Sequence, residues 1–63
     1  MIRVHRLNNE EFWVNCDLIE FVEATPDTVI SMTSGRKLVV AEPCEEIRRL
    51  IIEYKRQIFG GDV

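Results

Sequence analysis

The chain predicts an α+β domain, a small antiparallel β-meander of about five strands with one C-terminal α-helix packed on it; whether the sheet closes into a barrel is left open. Three observations carry that expectation. Apolar and polar residues alternate over several short runs before Glu42, the period of half-buried strands. Asn-Asn, Pro-Asp and Ser-Gly pairs separate these runs, and such residues favour turns. After Pro43 the apolar residues recur at spacings of three and four, as on one face of a helix.

The first strand spans 2–7, where Ile2 and Val4 alternate with Arg3 and His5. Asn8-Asn9 follows; asparagine tolerates positive φ better than most residues, so the pair reads as a tight hairpin turn. The second strand, 11–15, is aromatic and β-branched, which suits a sheet. Asn15 to Asp17 is polar and turn-like. In the third segment, 17–24, Ile19 and Phe21 share one face of a strand, whereas Leu18 and Val22 share one face of a helix. The β-branched and aromatic content favours the strand.

Thr25-Pro26-Asp27-Thr28 is a turn, with Pro26 supplying the φ of a common turn's second position and Asp27 able to bond its own backbone. The fourth strand, 28–33, sends Ile30 and Met32 one way and Val29 and Ser31 the other. At Ser34-Gly35, glycine supplies a positive φ without steric cost. The fifth strand, 37–41, sets Leu38 and Val40 on one face. Turns and strands thus account for the whole stretch from Ala24 to Val40. A phosphate-gripping loop needs more glycines and a helix after its lysine, whereas here one glycine precedes Arg36-Lys37 and opens a strand.

The helix spans 43–59. Pro43 suits the first helical position, where its missing N–H costs nothing. Glu45 and Glu46 meet the positive end of the helix dipole, and Lys55 and Arg56 its negative end. Ile47, Leu50, Ile51, Tyr54 and Ile58 form an apolar stripe. Each such side chain contributes about 1.5–3 kcal/mol when buried, and the apolar face of the strands is the surface within the chain that can cover it. Gly60-Gly61 ends the helix.

Sixty-three residues, 46% hydrophobic and 30% charged, fit a single globular domain over 1–63 rather than a disordered chain. No apolar run approaches the roughly 20 residues that span a bilayer, and the start lacks the apolar core of a signal peptide. The expected location is the cytoplasm, without membrane insertion. A net charge of −3 argues against nucleic acid as the partner, because such binders carry a basic footprint. Cys16 and Cys44 lie far apart with no CxxC and read as small packed residues. With His5 they fall short of the four ligands of a zinc site, so no metal and no cofactor is expected.

Nor does a catalytic set stand out. His5 has no serine or cysteine neighbour in sequence and reads as structural or solvent-facing. Glu20 and Glu23, three apart on an extended strand, point to opposite faces and cannot flank one substrate atom. The chain reads as a non-enzyme. Trp13 is the most informative single residue: Phe12 and Val14 share one strand face, so Trp13 takes the other, where it is either an exposed aromatic of the kind that dominates binding hot spots or the cover over the open end of a small barrel-like sheet that uses both faces. With Arg36, Lys37, Arg48, Arg49 and Lys55 it makes up the candidate partner surface.

Together the segments RLNNEEFWVN (6–15), DLIEFVEATPDTVISMTSGRKLVV (17–40) and IIEYKRQI (51–58) resemble the flagellar FlbD family, also called the SwrD swarming-motility proteins. The resemblance covers about Met1 to Ile58 and departs from the family pattern at Asn9, which replaces a glycine, and at Cys16, which replaces a small residue. It implies a cytoplasmic, non-enzymatic accessory role in flagellar assembly or motor function, exercised through contacts with a flagellar protein component. Self-association is a further expectation, since a small core gains from a partner and an open sheet leaves strand edges to pair. The alternative is a small β-rich nucleic-acid-binding regulator of flagellar genes, which would require the arginines to gather on one surface.

Overall fold

The computed structural model describes residues 1–58. It is α+β, with five strands in two antiparallel sheets and one C-terminal helix. The strands are β1 (Ile2–His5), β2 (Glu11–Val14), β3 (Ile19–Ala24), β4 (Thr28–Met32) and β5 (Lys37–Val40), and α1 runs over Cys44–Ile58. β1 and β2 make a hairpin, β3-β4-β5 make a three-stranded meander, and the sheets do not close into a barrel.

The first turn depends on Asn9. Its φ is 74°, its N–H donates to the Arg6 carbonyl at 2.9 Å, and the Arg6 N–H donates to the Glu10 carbonyl at 2.8 Å. This is the pattern of a three-residue hairpin loop whose last residue is left-handed. The loop ends the strand at His5, short of the predicted Leu7.

One continuous meander does not form, because the polar stretch after β2 becomes a single 3₁₀ turn over Cys16–Leu18. The Asn15 side chain caps it, Oδ1 accepting from the Asp17 N–H at 3.1 Å. Asp17 and Leu18 therefore belong to a corner rather than to the third strand, and β3 starts at Ile19 next to β4 instead of β2.

A second departure lies within β3. Ile19 faces Met32 and Phe21 faces Ser31, so Glu20 is an extra residue, a β-bulge. A bulge moves the alternation out of phase. Ile19 and Phe21 consequently do not share a face: Ile19 and Val22 pack on the core, while Phe21 is exposed. At the next turn the Thr25–Pro26 peptide is cis. Gly35 does carry the positive φ, +93°, at the turn into β5.

The core forms where the two sheets and the helix meet. Ile2, Val4 and Val14 come from the hairpin, Ile30 and Val40 from the meander and Ile47 from α1, all buried, with Cys16 beside them. Leu50, Ile51 and Tyr54 pack against this cluster. Ile58, expected in the same stripe, is exposed, because the helix has by then run past the strands it covers. Pro43 precedes the helix rather than opening it: its carbonyl accepts from the Ile47 N–H at 3.1 Å. The expected end at Phe59 and Gly60-Gly61 lies outside the described residues.

A short seam joins the sheets. The Ala41 N–H, just past β5, donates to the His5 carbonyl of β1 at 2.7 Å, while the Thr33 N–H donates to the Leu18 carbonyl at 2.8 Å and ties the 3₁₀ corner to the end of β4.

Candidate functional site

An open groove of about 450 Å³ lies between β1 and α1. Its strand wall follows from the hairpin register. Val4 pairs with Phe12 and Arg3 with Trp13, so the apolar pair turns inward and Arg3 and Trp13 turn outward together. Trp13 is 58% exposed. The helix wall carries Arg49, Leu50, Glu53 and Tyr54.

The backbone of β1 also faces the groove. The Arg6 N–H points toward β2, and along an antiparallel strand this direction alternates. The N–H and C=O groups of Arg3 and His5 therefore point away from β2, along the open edge. Those of His5 are occupied: Ala41 donates to the carbonyl, and the N–H donates to Glu42 Oε1 at 2.9 Å. The other Glu42 oxygen, Oε2, lies 2.6 Å from His5 Nδ1. An ionised carboxylate only accepts, so Nδ1 carries the proton. Glu11 stands on the far side of the ring, with Oε2 at 3.8 Å from Nε2. This clasp closes one end of the β1 edge and leaves the Arg3 backbone facing the groove.

Burial is the largest influence on Glu42 and opposes its ionisation, but the hydrogen bonds from the His5 side chain and backbone, with lesser help, outweigh it and hold the carboxyl below its ordinary 4.5. On the helix wall, Arg49 donates from Nε to Glu46 Oε1 at 3.0 Å and from Nη1 to Glu53 Oε2 at 3.2 Å. The bond from Arg49 lowers the Glu46 pKa, and the bond to Glu46 raises that of Arg49.

The predicted surface residues do not form one patch. Trp13 and Arg49 meet in the groove. Arg48 instead borders a smaller apolar groove of about 310 Å³, with Val22, Ile51 and Ile52. Lys55 reaches back to Asp17, Nζ to Oδ1 at 2.6 Å, tying the helix to the 3₁₀ turn; that bond lowers the Asp17 pKa and raises that of Lys55. Arg36 and Lys37 are exposed at the β4–β5 turn. The bulge also interrupts the alternation that was to separate Glu20 and Glu23, and both carboxylates are exposed.

Sequence reasoning missed Glu42. It lies 37 residues from His5, and no local pattern announces such a contact. Both cysteines are free thiols. Among the described residues no three or more His, Cys, Asp or Glu gather as metal ligands, and no helix is long and apolar enough to cross a membrane.

By class this is a small α+β domain with an aromatic-walled groove beside an open strand edge. The family model described as "FlbD: Flagellar and Swarming motility proteins" matches residues 1–59, and the chain belongs to that family. The family places it in flagellar or swarming motility and is not a known enzyme family. No curated protein and no solved structure matches the chain.

Proposed function

We propose that the chain is a non-enzymatic accessory protein of the bacterial cytoplasm, acting through protein contacts on flagellar assembly or motor function, and that its docking site is the groove between β1 and α1. The observation carrying this reading is the exposure of Trp13 beside the open edge of β1. A tryptophan left in water gains most from a partner that covers it. The Arg3 backbone offers that partner a place to add main-chain hydrogen bonds, as in strand addition. The net charge of −3 supports protein over nucleic acid, and half of the eight basic residues, Arg3, Arg6, Arg49 and Lys55, each contact a carboxylate within the chain.

The test is Trp13→Ala. The variant is expected to melt within a few degrees of the wild type, since the ring lies outside the core, yet to lose capture of its flagellar partner from motile cells and to reduce swarming. Normal swarming by cells carrying the folded variant at native levels would overturn the assignment of this groove.

A further inference from the structure

The three-stranded sheet has a second face, turned away from α1. Its pattern follows from the register. Phe21, Ser31 and Lys37 form one row across β3, β4 and β5, and Glu23, Val29 and Val39 form the next. Two opposite corners of this rectangle are apolar and open: Phe21 is 46% and Val39 42% exposed. The other two corners are Glu23 and Lys37. Neither takes part in an ion pair among the described residues, although most charges on the hairpin and helix do. Between the corners, Ser31 is 4% exposed, and its Oγ has no hydrogen-bond partner. A buried hydroxyl without a partner is uncommon in a folded protein.

This arrangement is complementary to itself. We infer that the outer face of the β3-β4-β5 sheet docks a second copy of the chain, about a two-fold axis along the Phe21–Val39 diagonal. A rotation about that line lays Lys37 of each copy over Glu23 of the other, so the same ion pair forms twice. It also stacks Phe21 on Phe21 and Val39 on Val39. The other axes in the plane fit worse. One parallel to the strands sets Lys37 against Phe21, one across them sets Lys37 against Val39, and the second diagonal opposes lysine to lysine and glutamate to glutamate.

The rows are about 6.8 Å apart and the outer strands about 9.6 Å apart. The diagonal is therefore steeply inclined to the strands, and the two sheets cross nearer the orthogonal than the aligned class of sheet packing. A two-fold contact of this kind uses one surface on both copies and closes, giving dimers rather than fibres. The patch sits at the small end of specific interfaces, so the dimer is a weak one. It leaves the groove between β1 and α1 free.

Charge exchange tests the geometry. Sedimentation equilibrium over about 10 µM to 1 mM is expected to show a reversible monomer–dimer equilibrium for the wild type. Lys37→Glu and Glu23→Lys each set like charges together twice, and each variant alone is expected to weaken dimerisation at least tenfold. Mixed in equal amounts, the two variants form a heterodimer in which both contacts are again attractive, so dimers should return. Circular dichroism of each variant, expected to match the wild type because both residues are exposed, separates loss of pairing from loss of fold. A wild type that stays monomeric at 1 mM, single variants that dimerise like the wild type, or a mixture that stays monomeric would each overturn the proposal. None of these results depends on Trp13, so failure here and failure of the groove assignment are separable.

Discussion

Asn9 shows how a single residue can hold a turn. Its φ of 74° lies in the left-handed region that asparagine and glycine occupy at low cost. Asn9→Gly is expected to keep stability within about 0.5 kcal/mol, while Asn9→Val, whose branched side chain clashes there, should cost about 1–2 kcal/mol; urea unfolding of the two variants checks the contrast. Glu42 sets a pH dependence. Its folded pKa lies below the ordinary 4.5, so the stability it contributes is fully present above that value and is lost as pH falls through the lower folded pKa. Glu42→Gln is expected to cost about 1–3 kcal/mol at neutral pH and to flatten the acid decline. Melting temperatures of both proteins, followed downward from pH 7, would reveal it; an unchanged acid limb would contradict the role given to the His5 clasp.

Among the elements, the helix was the most legible from sequence. Its stripe, its acidic first turn and its basic last turn all agree, and Ile47, Leu50, Ile51 and Tyr54 pack as the spacing predicted. The stripe did not disclose where its cover ends, since a pattern of side chains says nothing about the length of the surface beneath it. Ile47→Ala is therefore expected to cost about 2–5 kcal/mol, and Ile58→Ala, on an exposed side chain, less than about 0.5 kcal/mol, measured by thermal or urea unfolding. β3 was the least legible. The alternation from Ile19 to Phe21 was read correctly as a strand and wrongly as one face, because a bulge is imposed by the neighbouring strand. Phe12 and Val14 set Trp13 on the opposite face of its strand from their own but leave open whether that face is covered; the open sheets leave Trp13 exposed. Its groove was not foreseen, because Tyr54 and Arg49 reach it only through the packing of α1.

For the molecule as a whole, two small sheets meet at a seam rather than sharing one ladder. β1 joins the meander through the His5–Ala41 backbone bond, the Glu42 carboxylate and the apolar contacts around Ile47. The hairpin should therefore open more readily than the central strand β4. In hydrogen exchange, the amides of Val4 and Val14 are expected to exchange faster than that of Ile30, and Glu42→Ala should widen the gap; equal protection throughout would mean that the sheets open only together. Sequence revealed the class of the fold and its composition of strands and helix, but not this division, because nothing local in Asn15 to Leu18 distinguishes a corner between sheets from a turn within one.

The bulge in β3 bears on how this chain tolerates changes in its length. Glu20 is supernumerary: without it, Ile19 would still stand opposite Met32 and Phe21 opposite Ser31. A version one residue shorter at this point keeps the same neighbours for every other side chain, so a deletion here passes almost unnoticed, whereas the same edit in β4 would turn the strand inside out.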